Sequence, residues 1–339
     1  MSIGTLIALW KANVPHWVLA STILCAAAII LGLDGEAPDW VHLGVFIPTA
    51  LLGLAIAEYA GTYADRHEDW LYGPTNPIVT GDLDAGTARK TFILQNVVAG
   101  ALGFALMIIT LDYALTLTLI ACWVIALTYS LPPFRLKETV AGPFFLALGY
   151  ALIPLAGWLL VAPVNKFIAF FALFWFLYTF AFGFTLKFRK TYLAINAGHI
   201  KAEEGESIYD LVTVGSGPRV RTAMTLEAVA ALGAFILVPI LWAVGIFEMP
   251  ISAGLLALCL PPTLAGLVMR ARKPVENSVF TTQLIALGFT FVHFLFFAVA
   301  LAELVHWGYA LLAGVASLVV FLLLLMIVHP TGSKSVGSY

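Results

Sequence analysis

Ten long apolar stretches, parted by short polar breaks, set the rhythm of this chain. They run over about 16–33, 41–61, 93–110, 112–132, 139–162, 167–187, 222–246, 250–270, 279–302 and 305–328. Each reaches the roughly 18 residues that an apolar helix needs to cross the hydrocarbon core of a bilayer. The pattern predicts an all-α polytopic membrane protein of nine to ten transmembrane helices, with residues 1–339 forming one integral domain. The third and fourth spans meet at a tight turn near Asp112, and the last two at one near Leu304. The first span begins near His16 after a single lysine and has no small-residue cleavage signal behind it, so it reads as a retained helix. Two polar breaks are long, about 62–92 and 188–221. Long polar loops in an otherwise minimal membrane protein usually carry function. Each follows an even-numbered span, which suggests a weak internal duplication.

Composition agrees with the pattern. The chain is 61% hydrophobic and 11% charged, and its mean hydropathy is +0.98, far above a soluble globular protein. The net charge of −2 selects no partner; nothing points to nucleic acid, and no obligate protein partner is implied. The distribution of charge says more. Sixteen of the 17 lysines and arginines fall on the side of the N-terminus and the even-numbered loops, and only Lys166 falls on the other. Positive residues mark the cytoplasmic side, so both termini and both long loops are expected there. The opposite face carries Asp34, Glu36, Asp39, Asp112 and Glu248. The expected setting is a bacterial or archaeal cell membrane, with the chemistry on its cytoplasmic side. Cys25, Cys122 and Cys259 lie inside apolar spans without metal-type spacing and read as small buried hydrophobes.

The candidate chemistry begins at the end of the second span. If that helix continues through residue 69, Glu58, Thr62, Asp65 and Asp69 are spaced 4, 3 and 4 and share one face. Carboxylates at membrane depth are costly unless neutralised. A Mg2+ ion would neutralise Asp65 and Asp69, and hard oxygen ligands suit it. The plainer alternative is a solvated helix end neighboured by Arg66 and His67. Further on, Tyr129-Ser130-Leu131-Pro132-Pro133-Phe134-Arg135-Leu136-Lys137 closes the fourth span. The double proline ends the helix, which sets Arg135 and Lys137 at the membrane edge, within reach of phosphate oxygens. Ordinary positive-inside anchoring is the competing account. Gly142, Gly149 and Gly157 then permit close helix packing.

These segments resemble the UbiA superfamily of intramembrane prenyltransferases. In that family an Asn-Asp pair precedes an Asp-x-x-x-Asp, and an Arg-Pro-x-x-x-Gly stretch follows. Asp65 and Asp69 match the two later aspartates, Arg66 a frequent arginine, and Pro77 to Gly81 the tail; Gly61-Thr62 stands at the Asn-Asp positions and Asn76 at the arginine. The Tyr129–Lys137 segment matches the family's Tyr-Ser-x-Pro-Pro-x-Arg-Leu-Lys. The family's second Asp-x-x-x-Asp, after the sixth helix, has no counterpart here. Asn196 and Lys201 fall near its positions, and Glu203, Glu204, Glu206 and Asp210 follow. Family members typically have nine spans, so the tenth, the last, is the extra one.

The resemblance implies a UbiA-like bundle with a cytoplasmic N-terminus and Mg2+-dependent transfer of a polyprenyl group. The donor would be an isoprenoid diphosphate and the acceptor lipophilic, commonly aromatic. It implies Asp65, Asp69 and Lys137 as catalytic residues. Thr62 at the Asn-Asp position would offer the metal a hydroxyl; Glu204 and Glu206, outside the family pattern, either replace the missing pair as metal ligands or lie in a solvated loop. Glu58, Asn76, Tyr129, Arg135, Lys190, Asn196 and Asp210 would meet substrate. A terpene cyclase of the same superfamily, transfer of a sugar phosphate to a polyprenyl phosphate, and a non-catalytic lipid-binding or transport protein are the alternatives. No pair of Gly/Pro-interrupted helices in matching halves favours a transporter. Aromatics crowd the sixth span (Phe170, Phe171, Phe174, Trp175, Phe176, Tyr178) and the ninth (Phe289, Phe291, Phe294, Phe296, Phe297). Most are expected to face lipid, with a few shielding an allylic cation. Glu58, Glu227 and His293 are ionisable groups inside spans, and so functional candidates; His293 is expected to be neutral and hydrogen-bonded between helices.

Overall fold

Within lipid a backbone must satisfy its own N–H and C=O groups, so the apolar stretches fold as helices. The computed structural model describes residues 2–72, 76–196, 207, 209–213, 217–272 and 278–328. Its helices are α1 (Ile3–Ala12), α2 (Pro15–Leu33), α3 (Trp40–Tyr72), α4 (Ala85–Thr110), α5 (Tyr113–Ser130), α6 (Gly142–Leu159), α7 (Lys166–Asn196), α8 (Val220–Ala243), α9 (Met249–Gly254), α10 (Leu260–Arg272), α11 (Ser278–Leu304) and α12 (Trp307–Val328). A π-helical turn, Leu255–Cys259, fuses α9 and α10 into one span. Among the described residues ten helices are long and apolar enough to cross a membrane, and they fall on the ten expected spans. The tight turn at Asp112 is present, its carboxylate accepting from Leu115 N at 2.9 Å.

Several features depart from expectation. The break at about 62–92 is mostly helix, because α3 runs to Tyr72 and α4 starts at Ala85. The break at 188–221 is likewise shortened by α7, which runs to Asn196. Falling hydropathy marks where a helix leaves lipid, not where it ends. The rings of α7 and α11 are not mainly lipid-facing: none of the eleven is exposed. Phe171, Phe174, Trp175 and Tyr178 form the main apolar core with Phe235, Phe289 and Phe296, and Phe171 meets Phe296 at 4.3 Å between centroids. His293 hydrogen-bonds within its own helix, to Phe289 O at 2.9 Å, with its ring 4.5 Å from Trp175. Short α1 was not anticipated; it packs Ala8, Leu9 and Ala12 on Tyr59, Leu83 and Ala88.

The small residues do what their spacing suggested. A Cβ added at Gly157 of α6 would lie 2.5 Å from Cys25 O of α2, so only glycine permits that approach. Glu227 of α8 is fully buried and pairs with Arg270 of α10, with Thr185 of α7 donating to the same carboxylate. Arg270 also donates to Thr281 and Thr282 of α11 at 3.2 and 3.3 Å. One ion pair thus ties four helices together.

Candidate active site

Because α3 continues past the membrane edge, its polar face becomes one wall of a large cavity. Glu58, Thr62, Asp65 and Asp69 all line it, as the 4, 3, 4 spacing requires. The Pro-Pro segment after α5 leads into a short 3-10 turn, Leu136–Glu138. That turn lies hard against the start of α6: a Cβ added at Gly142 would fall 2.8 Å from Lys137 O. So held, Lys137 bonds Asp65, and Arg135 Nη2 lies 3.2 Å from the same oxygen. Arg135 also pairs with Glu138.

Asn76 is nearly buried, 4% exposed. Its Nδ2 donates to Asp69 Oδ2 at 2.8 Å and to Thr62 O at 2.7 Å, and its Oδ1 accepts from Ile78 N at 3.0 Å. Its side chain therefore holds an aspartate in place. Burial pushes the Asp69 carboxyl up to about 6; the Asn76 hydrogen bond pulls against this and the charge of Asp65 adds to it. Burial also lowers the Lys137 ammonium below its ordinary value, opposed by Asp65.

The facing wall comes from α5, α6 and α7. Tyr129, Tyr150 and Lys190 line the cavity, as does Lys187, which the sequence reading placed only among the cytoplasmic charges. The spacing of Lys187 and Lys190, three apart on one helix, was its available signal. The cavity measures about 1270 Å³, and behind the charged end its lining is largely apolar, including Phe46, Leu54, Ile153 and Phe182. Phe321, Leu322 and Leu325 of α12 contribute to it as well. Among the described residues no hydrogen bond or ion pair engages Glu58; its electrostatic neighbours are Tyr129 and Tyr150.

One other anticipated residue is not brought here. Asp210 sits in a turn closed by its own N–H to Ser207 O and does not line the cavity. Glu204, Glu206 and the side chain of Asn196 lie outside the described residues. No group of three or more His, Cys, Asp or Glu gathers among the described residues. Two carboxylates one helical turn apart still fit Mg2+, which commonly takes one or two carboxylates and leaves its other positions to water and substrate phosphate.

Ten membrane-length helices among the described residues, bundled around a largely apolar cavity with acidic and basic groups in its lining, define an integral, multi-pass membrane protein. The sequence pattern of the UbiA prenyltransferase family matches residues 18–285, and the chain belongs to that family. Solved structures share the fold. One is of a digeranylgeranylglyceryl phosphate synthase, 15% identical, covering 87% of this chain and 98% of that one, with a TM-score of 0.64. A UbiA homologue from Archaeoglobus fulgidus bound to DMAPP and Mg2+ is 16% identical over 84% of this chain and 98% of that one, TM-score 0.58. The same homologue bound to GPP and Mg2+ covers 87% and 99% at 16% identity, TM-score 0.59. No curated protein sequence matches the chain.

Proposed function

We propose that this protein transfers a polyprenyl group from an isoprenoid diphosphate to a lipophilic acceptor with Mg2+, at the cytoplasmic face of the membrane. One observation carries the reading: carboxylates and cations converge at a single end of an otherwise apolar cavity of about 1270 Å³. Such a site suits a ligand with an anionic head and a hydrocarbon tail. The solved Archaeoglobus fulgidus homologue, with DMAPP or GPP and Mg2+, lends it support.

Asp65 and Asp69 would hold the metal, with the Thr62 hydroxyl beside them and Asn76 keeping Asp69 in register. When bound, Mg2+ supplies charge neutralisation of the diphosphate as it leaves. Lys137, Arg135 and Lys190 add positive charge for the leaving oxygens. The apolar lining would exclude water from the allylic centre, and the aromatic rings of Trp17, Tyr150 and Phe182 in that lining would stabilise its positive charge. Glu58 and Tyr129 stand between head and tail, Glu58 seven residues or about 10 Å up the helix from Asp65. There the free carboxylate is suited to take the proton an acceptor loses as it is prenylated.

The test is purified protein in lipid nanodiscs with labelled geranylgeranyl diphosphate and Mg2+. Pyrophosphate release that requires a lipophilic acceptor is the expected result. Release with a hydrocarbon product and no acceptor would make the protein a cyclase. No turnover with donors of several chain lengths would overturn the enzymatic reading.

A further inference from the structure

An ammonium taken out of water costs several kcal/mol unless an anion or hydrogen-bond acceptors replace its hydration. Lys187 of α7 is 7% exposed, and its Nζ has no hydrogen-bond partner among the described residues. It lies six residues beyond Ala181 and nine before the helix ends at Asn196, so no helix terminus draws the charge. It lines the same cavity as Lys190, Asp65 and Asp69. Three described carboxylates near this end of the cavity are committed elsewhere. Asp65 holds Lys137 and Arg135, Asp69 holds Asn76, and Glu138 holds Arg135. Among the described charged groups, Lys190 repels Lys187 and Glu138 attracts it. A buried cation with no hydrogen-bonded counter-ion among the described residues, lining a cavity, is suited to an anion from outside the protein.

We propose that Lys187 and Lys190 form an anion subsite on α7 that grips diphosphate oxygens directly, with no divalent ion between. This rests on the proposed function for the identity of the anion. Recognition of the headgroup is then divided between two walls. The α3 wall uses carboxylates through a metal, and the α7 wall uses ammonium groups. It follows that the headgroup retains affinity for the protein when divalent ions are removed, and that free pyrophosphate shares it.

The experiment is isothermal titration of the full chain in nanodiscs with inorganic pyrophosphate in excess EDTA. The variants are K187Q, K187R and K190Q, with K90Q, an exposed lysine of α4 outside the cavity, as control. Wild type and K90Q should bind alike. K187Q should weaken binding about tenfold or more, the scale of a lost hydrogen bond to a charged group. K187R should retain more affinity than K187Q, and K190Q should also weaken it. The thermal midpoint of ligand-free K187Q should equal or exceed wild type, because an uncompensated buried charge is removed; a lysine serving only structure would lower it. Absence of metal-free binding in wild type, or undiminished binding in K187Q and K190Q, overturns the subsite. The two readings fail separately: Lys187-dependent binding without turnover sinks only the transferase, and turnover with Lys187-independent binding sinks only the subsite.

Discussion

Asp65 and Asp69 sit one helical turn apart yet in different surroundings. Asp65 is held by two cations, and Asp69 by a neutral amide. Asp65→Ala and Asp69→Ala should each lower turnover at least about a hundredfold with expression intact, since losing a metal ligand removes several kcal/mol of transition-state stabilisation. Radiolabelled product formation measures this, and near-normal rates in either variant would discard the metal assignment. Asp69 also sets a pH dependence. Its carboxyl is pushed up to about 6, and metal requires the ionised form, so Mg2+ affinity should be flat above that pH. Below it, affinity should fall by up to about tenfold per pH unit as protons compete. Asn76→Ala removes a hydrogen bond that favours ionisation, so its midpoint should move to higher pH. Mg2+ titrations at several pH values with a thiodiphosphate analogue would show both effects. The acid pair and the Tyr129–Lys137 segment were legible in the sequence, because residue type and helical spacing suffice to find them. The Asn76 clamp and the isolation of Lys187 were not, because each depends on neighbours far away in the chain.

At the scale of elements, the positions of the ten spans followed from apolar length alone, whereas the reach of α3 and α7 beyond lipid did not. Polar residues there continue a helix as readily as they start a loop, and hydropathy does not separate the two. The buried aromatic seam was misjudged for a related reason: a span apolar all round gives no sign of which face meets protein and which meets lipid. The tie of α7, α8, α10 and α11 at Glu227 was likewise visible only as a charge within a span. Glu227→Ala leaves Arg270 buried without its counter-charge and should cost about 3–5 kcal/mol. Thermal unfolding in nanodiscs should show a lowered midpoint. Replacing both partners by methionine should lower it less; an equal or larger loss would mean the pair does more than neutralise itself.

For the whole molecule, the family match ends at residue 285, while the cavity does not. α12 packs on α2 and α11 and lends the cavity side chains such as Phe321. Phe321 is 3% exposed and lies edge-on to Trp17 at 5.8 Å. Phe321→Ala should enlarge the apolar chamber and raise the preference for longer over shorter prenyl donors, read as the ratio of their kcat/KM values. An unchanged ratio would make α12 a bystander to chain-length selection.

The grasp of Lys137 and Arg135 on Asp65 carries a consequence for how the protein rests between turnovers. Within that trio neither the acid nor its two cations is left bare in the lipid-adjacent interior. Were Asp65 to turn to a lone cation, Lys137 would lose its carboxylate while Arg135 kept Glu138; an anion travelling with that cation gives Lys137 a new mate. On the proposed function, the Asp65 trio would therefore exchange partners most readily when ion and anion arrive together.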